Sequence, residues 1–390
     1  MIILTIIVFF AILGLLVLVH ELGHFITARR AGIKVEEFGL GLPPRAIGFY
    51  KNEEGKWKRV GIKSKEASST IWSLNWIPLG GFVKIKGEDG GNANDPESFG
   101  SKSILTRIIV ISAGVSMNIL LAFVIFTIGL TIGLPQVLEE DGLPAFAKVR
   151  NVETRVVDIL PDSPADLAGL ELMDIVVRVD GEVLGGISDY QAYFDGKTGE
   201  TVSLEIKRGS ETINTEVTPI ILAETGRGAM GVGLIQTGIV SYPFYVSWWY
   251  GLAQTYELII GILFGFYLII KSLVVENKLI GDVYGPIGIA TLVGDAVQLG
   301  FLYVIQFTAA LSVIIAVINY LPFPALDGGR ALFLLIEGIR KKPVNPKIES
   351  AMHNAGFALL MLLVLVVTFR DIARISSGFS GLVEKISGFF

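Results

Sequence analysis

The chain has 390 residues, 52% of them hydrophobic, a mean hydropathy of +0.61 and several uncharged runs of about 20 residues, which excludes an ordinary soluble globule and predicts an integral membrane protein. The absence of cysteine excludes disulfides, thiolate nucleophiles and Cys-ligated metals, so any metal must be held by His, Asp or Glu. A formal net charge of -5 lacks the basic footprint of a nucleic-acid binder, and no nucleic acid is expected as a partner.

Ile2 to Val19 carries no charge, and the first basic residues, Arg29 and Arg30, follow the apolar run instead of preceding it. A signal peptide has the opposite order, so a retained helix is expected. Basic residues just beyond a span stay in the cytoplasm, which puts the N-terminus outside and the far end of this helix near the inner face. From Ala28 to Ser103 there are 13 Lys plus Arg against 9 Asp plus Glu, the excess of a cytoplasmic loop. Within it, TIWSLNWIPLGGFVKIKGE (70–88) combines aromatic and β-branched residues, the pair Gly80 and Gly81, and alternation from Phe82 to Lys86. This pattern predicts a hairpin whose apolar side meets the membrane interface.

A second span is predicted from Ile108 to Leu134, with Gly114, Ser116 and Asn118 as small or polar residues that let helices approach and hydrogen-bond. Asn118 therefore reads first as packing glue facing protein. Residues 137–240 change character, with 18 acidic against 8 basic residues. Short β-branched runs (155–160, 175–179, 202–206 and 212–217) alternate there with Gly, Pro and Asp turns, predicting a small strand-rich domain. SPADLAGLELMDIVVRVDGEVL (163–184) resembles the core of a PDZ domain, which implies a sheet edge able to pair with peptides or substrate termini. After two spans, this acidic module is expected outside the cytoplasm.

Phe244 to Ile270 is apolar apart from Glu257 and begins among Trp248, Trp249 and Tyr250, and by length it could span. Further spans are predicted from Phe301 to Leu321 and around Ala355 to Phe369. Arg330, Arg340, Lys341, Lys342 and Lys347 mark the loop between them as cytoplasmic. Parity is satisfied when Phe244 to Ile270 lies in the outer interface. The expectation is thus a polytopic α-helical membrane protein with about four transmembrane helices, an inserted extracytoplasmic PDZ-like α/β domain and a membrane-associated β-hairpin. Its segments are 1–136 (two spans and the hairpin loop), 137–240 (PDZ-like), 241–300 (embedded or surface helix and linker) and 301–390 (last two spans).

The chemistry is written at the end of the first span, in VLVHELGHFITA (17–28). His20 and His24 are one helical turn apart on one face, so both imidazoles can reach one zinc ion, with Glu21 beside them. Zinc lowers the pKa of bound water toward neutrality, and a carboxylate can take that proton and pass it to a leaving amine. Two imidazoles and a carboxylate near bilayer depth are costly unless they pair or bind something. Zinc needs a third protein ligand, for which the candidates are Asp327 and His353. Asp327 sits where Pro322, Pro324, Gly328 and Gly329 break the chain, and broken backbone at membrane depth is tolerated only where it is buried in protein or lines a watery cavity. His353, at the start of the last helix, reads as an interfacial or packing residue.

HELGH at 20–24, NYLPFPALDG at 319–328, PLGGFVKIKGE, YGPIGIA at 284–290 and the PDZ-like module together resemble the site-2 protease family of intramembrane zinc metalloproteases, in particular the bacterial regulators of sigma-E protease type. The resemblance implies Zn2+ held by His20, His24 and Asp327, with Glu21 as general acid/base. It also implies that Asn319, Pro322 and Pro324 shape the site and hold substrate backbone. Implied too are a bacterial plasma (inner) membrane location and an active site near the cytoplasmic side. Implied substrates are transmembrane segments of single-span membrane proteins already trimmed outside the bilayer, such as anti-sigma factors or remnant signal peptides. The chain departs from the better-known pattern in carrying one PDZ-like unit and in reading SAGVSMN at 112–118, where proline often follows the glycine.

A substrate helix satisfies its own amides, so it must unwind before water reaches them, and an edge strand could accept it. Phe82 to Lys86, with Phe82 and Val83 foremost, is the segment expected to contact substrate. Two other classes compete: a catalytically inactive PDZ-bearing scaffold, opposed by the intact His20, Glu21, His24 and Asp327 set, and a transporter, opposed by the lack of an internal repeat.

Overall fold

A computed structural model describes residues 1–62, 67–88, 94–138, 143–209, 211–222, 226–276, 284–342 and 344–387, without the side chains of 78, 79 and 375–387. In chain order the elements are α1 (Ile2–Arg30), β1 (Val35–Lys51), β2 (Trp57–Val60), β3 (Ile71–Ile85), α2 (Ile104–Ile132), β4 (Leu134–Val137), β5 (Lys148–Ile159), α3 (Pro164–Leu167), β6 (Ile175–Val179), α4 (Ile187–Gly196), β7 (Val202–Arg208), β8 (Glu211–Val217), β9 (Ile220–Ile221), β10 (Gly228–Ala229), β11 (Val232–Ser241), α5 (Phe244–Val275), α6 (Pro286–Leu299), α7 (Phe301–Tyr320), α8 (Asp327–Arg340) and α9 (Pro346–Ser387). The chain divides into two units, Met1–Phe126 with Trp248–Phe390, and Thr127–Ser247.

The first unit is helical, around one small sheet. Five helices of the described chain are long and apolar enough to cross a membrane: α1, α2, α5, α7 and the Pro346–Arg374 part of α9. The chain is thus a multi-pass membrane protein. The five include α5, the helix that the parity argument assigns to the outer interface. Along α1, Ile12, Leu16, His20 and Gly23 are buried at three- to four-residue spacing, a stripe that faces protein, and beyond it Phe25 and Ala28 are buried on other sides of the helix. Its apolar end packs with Val293 of α6 and Leu311 of α7. Its polar end joins the sheet, α2 and α8 through Phe25, Ala28, Phe38, Val110 and Leu334.

Glycine sets the closeness of α1 and α2. A Cβ on Gly23 would lie 2.4 Å from the Ala113 carbonyl oxygen, and one on Gly114 would lie 2.4 Å from His24 Nε2. A larger residue fits at Gly23 only if a helix moves and at Gly114 only if an imidazole is displaced, the small-residue packing expected of membrane helices.

The segment predicted as a hairpin at 70–88 does turn back, but its two arms do not pair with each other. Both pair with β1, which lies between them: Phe38 faces Val83 on one side and Trp72 on the other, and Leu40 faces Gly81 and Leu74. With β2 on its far half, β1 forms the middle of a three-stranded sheet ordered β2-β1-β3. The reason is non-local: Phe38 meets Phe25 of α1 edge to face and Trp72 at a tilt, at 5.6 and 5.1 Å between ring centroids, and this aromatic wedge holds β1 in place. The apolar tip carries exposed Leu42, Leu74, Trp76 and Ile77.

The second unit is a six-stranded antiparallel sheet ordered β4-β11-β5-β6-β7-β8, with α3 and α4 closing a core of Val156, Val176, Leu204, Ile206, Tyr190 and Phe194. The predicted runs at 175–179, 202–206 and 212–217 match β6, β7 and β8 to within two residues, while the run at 155–160 covers only the second half of β5, which begins at Lys148. Ser163 caps α3, accepting from the Asp166 amide, and Gly169 at φ +74 ends the turn after it, as the sequence predicts. The strand pairing is reinforced by Arg208, whose Nε and Nη2 donate to the buried Asp174 carboxylate at 2.8 and 2.7 Å.

Replacing Gly23 with valine is expected to lower stability by about 1–3 kcal/mol through overpacking against α2. The check is the thermal unfolding midpoint in detergent; an unchanged midpoint would show that this contact has slack.

Candidate metal centre

The HELGH turn brings two imidazoles together at the buried end of α1. His24 Nε2 lies 3.2 Å from His20 Nε2, and the two rings meet edge to face at 4.9 Å between centroids. The third member arrives from 307 residues away. Asp327 Oδ2 lies 3.0 Å from His20 Nε2 and 3.4 Å from His24 Nε2. Among the described residues this trio is the one group of His, Asp or Glu side chains arranged to share a metal ion.

Local sequence explains how Asp327 gets there. Leu321 leaves the helical region, and Pro322 and Pro324 cannot continue α7. Asp327 is then the first residue of α8, where the helix dipole favours a carboxylate. Gly328 and Gly329 let that first turn sit directly on the end of α7. A Cβ on Gly328 would be 2.2 Å from the Leu321 carbonyl oxygen, and one on Gly329 2.3 Å from that of Phe323.

Second partners fix which imidazole nitrogen faces inward. His24 Nδ1 donates to the Val110 carbonyl oxygen at 2.9 Å, and a carbonyl can only accept. The Nε2 lone pair of a neutral His24 therefore points toward a carboxylate oxygen, a contact that either a proton on Nε2 or a metal cation between the two would make favourable. On the other ring, Asn118 Nδ2 lies 3.4 Å from His20 Nδ1, while its buried Oδ1 lacks a partner among the described residues. A metal on His20 Nε2 would leave a proton on Nδ1, and turning the amide over would put Oδ1 against that proton. One change removes both the donor clash and the orphaned oxygen. The spacing agrees as well: tetrahedral zinc with ligands at about 2.0–2.1 Å requires ligand atoms about 3.3 Å apart, against 3.0, 3.2 and 3.4 Å here. The residues present fit zinc.

These side chains line a cavity of about 760 Å³, together with Glu21, Gly81 to Ile85, Glu88, Arg330 and His353. Glu21 is half-buried and makes no hydrogen bond among the described residues, so its carboxylate is available to a water or a substrate. The edge of β3 that carries Phe82 and Val83 forms one wall. Asn319, Pro322 and Pro324 lie outside the cavity lining, on the last turn of α7 and in the bend after it. His353, weighed as a third ligand, stands apart from the trio. Its Nδ1 accepts from the Ala325 amide at 2.9 Å.

Asn118 and the Val110 carbonyl are the partners that sequence reasoning passes over. A polar residue in an apolar run is a visible signal for Asn118, whose backbone oxygen also accepts from Ser312, so it packs and contacts His20 at once. A backbone carbonyl carries no residue-type signal.

Several known proteins have similar sequences. A Clostridium perfringens protein is 35% identical across 94% of this chain and 98% of its own length. The zinc metalloprotease RasP of Oceanobacillus iheyensis is 27% identical across 95% of this chain and 99% of its own. The regulator of sigma-W protease RasP of Bacillus subtilis is 27% identical across 95% of this chain and 99% of its own length. Among solved structures, the PDZ domain of the SdrC-like protein from Listeria monocytogenes is similar over 22% of this chain and 92% of its own, at 23% identity and a TM-score of 0.21. The family model for peptidase family M50 matches residues 8–363, and this chain belongs to that family of intramembrane zinc metalloproteases.

Proposed function

We propose that His20, His24 and Asp327 hold one zinc ion, and that Glu21 moves protons in the hydrolysis of peptide bonds within membrane-spanning segments of single-span proteins. The observation that carries this reading is the convergence of two Nε2 atoms and one carboxylate oxygen within 3.4 Å of each other, on a cavity that Glu21 shares. Zinc bound there supplies a Lewis acid that lowers the pKa of water toward neutrality. Glu21 takes a proton from water as that water adds to the amide carbonyl carbon, and returns it to the leaving nitrogen as the C–N bond breaks. Val110 and Asn118 hold the two rings in the tautomer that turns Nε2 toward the ion.

Substrate enters, in this reading, along the wall formed by β3. Val83 pairs with Phe38 on one side only among the described residues, which leaves an edge for an unwound segment to add as a strand. The exposed Leu42, Leu74, Trp76 and Ile77 suit contact with lipid at the same sheet. Pro322 and Pro324 end α7 and form the bend that delivers Asp327, and with Asn319, on the last turn of α7, they shape the site and hold substrate backbone. The 137–240 domain acts as a PDZ-like module that takes up peptide or substrate termini. Anti-sigma factors and remnant signal peptides are the substrate types that the family resemblance suggests.

The topology proposed is four spans, α1, α2, α7 and α9, with α5 in the outer interface. The N-terminus and the acidic domain are extracytoplasmic, and the site lies near the cytoplasmic side of the plasma membrane. Support comes from α6, where Gly294 packs against Thr5 of α1 and the Gly288 amide donates to Asp371 of α9. Thr5 and Asp371 are roughly 22 and 27 Å along their helices from His20 and His353, at 1.5 Å per residue. An α7 starting at that end runs inward, to where basic residues follow Asp327.

In the purified full-length protein, Glu21→Gln is expected to keep zinc and lose cleavage of a model single-span substrate by roughly 10²–10⁴-fold. Asp327→Ala is expected to lose zinc. Full cleavage by Glu21→Gln would contradict the mechanism, and zinc in the wild type without any cleavage would favour the inactive scaffold. Asn118→Ala should weaken zinc binding about 10–100-fold in a chelator competition; wild-type affinity would remove it from the site. Val83→Pro should reduce cleavage with zinc content intact, and undiminished cleavage would rule out the edge-strand route.

A further inference from the structure

The bend that delivers Asp327 contains a backbone feature that its own sequence disfavours. Ala325, two residues before Asp327, has φ +82, in the left-handed region where a side chain is strained. Neighbours must hold such a conformation. Two do so, both from α9 and one helical turn apart. His353 Nδ1 accepts from the Ala325 amide at 2.9 Å, giving a partner to a backbone donor that would otherwise be orphaned in the wall of the site. Gly356 provides the space: a Cβ there would lie 2.4 Å from the Pro324 carbonyl oxygen and 2.6 Å from Pro324 Cβ. Phe333 of α8 packs on the His353 ring at 5.5 Å between centroids and steadies its orientation.

We propose that His353 is a positioning residue: with Gly356 it clasps the Pro324–Ala325 bend, and so aims the Asp327 carboxylate at His20 and His24. Ligand geometry tolerates displacements of only about 0.5 Å, so a bend free to relax would move Oδ2 out of reach. The inference rests on the reading of Asp327 as a zinc ligand. It assigns work to the third histidine of the chain without making it a ligand, and it names the nitrogen that does the work. An acceptor at Nδ1 holds Ala325, which puts the ring proton on Nε2.

The test is zinc affinity of the full-length apo protein, measured by chelator competition, with the unfolding midpoint of each apo variant followed in parallel. His353→Asn keeps an acceptor near the place of Nδ1, His353→Gln puts its amide near the place of Nε2, and His353→Leu removes both. Leu and Gln are expected to weaken zinc binding about 10–100-fold, and Asn to stay close to the wild type. Ala325→Gly, which accepts φ > 0 without strain, should recover most of the loss in the His353→Leu background. Wild-type affinity in His353→Leu, rescue by Gln but not by Asn, or no recovery with Ala325→Gly would each overturn the proposal. Asp327→Ala separates the two levels: if it also keeps zinc, the ligand reading fails, whereas loss there with retention in His353→Leu sinks the clasp alone.

Discussion

Ionisable groups at membrane depth are tolerated only when each has a partner, and this constraint organises everything around the HELGH turn. His20, His24 and Asp327 would answer it together, since a cation held among their three ligand atoms would neutralise the carboxylate and occupy both imidazole lone pairs. The rest of the first unit can be read as what it takes to bring those atoms within 3.4 Å. Gly23 and Gly114 bring α2 onto α1, Pro322 and Pro324 stop α7, and Gly328 and Gly329 let α8 start on its stump. Arg107 and Glu337 then tie α2 to α8 with two hydrogen bonds, at 3.2 and 2.5 Å.

The same constraint governs the substrate. A helix in lipid has no free amide to offer, so hydrolysis needs both water and unwound backbone in a place that excludes lipid. In the proposed reading the cavity would admit the first, and the edge of β3 that is unpaired among the described residues would take the second. A sheet suits this better than a helix would, because it repays each amide that the substrate gives up with another backbone hydrogen bond. That economy explains why a membrane enzyme keeps a small β-sheet against its first helix. Phe25 and Phe38 pack the sheet against α1, the helix that carries the imidazoles.

Much of this was legible in the residues. The two-histidine turn was readable because i, i+4 spacing has one geometric meaning on a helix. Asp327 was readable because Pro and Gly on both sides mark backbone that must bend. β6, β7 and β8 were readable because alternation and turns are local signals, and α1, α2, α5, α7 and α9 because apolar length is. What was not legible depends on contacts between distant segments. The middle position of β1, between the arms of β3, is set by Phe25 from another element. The Val110 carbonyl is invisible to any argument from side chains. Asn118 showed as an anomaly in an apolar span, yet its contact with His20 depends on how α1 and α2 meet. His353 was visible as a rare residue, and only the fold reveals that its partner is the backbone of Ala325.

X-ray absorption at the zinc edge of the purified full-length protein reads out whether two imidazole nitrogens and one carboxylate oxygen hold a single zinc ion. One zinc per chain, four light-atom neighbours at about 2.0–2.1 Å and outer-shell scattering from two imidazole rings are expected. A site with six oxygen neighbours, scattering from one ring or three, or a protein that takes up no zinc would contradict that ligand set.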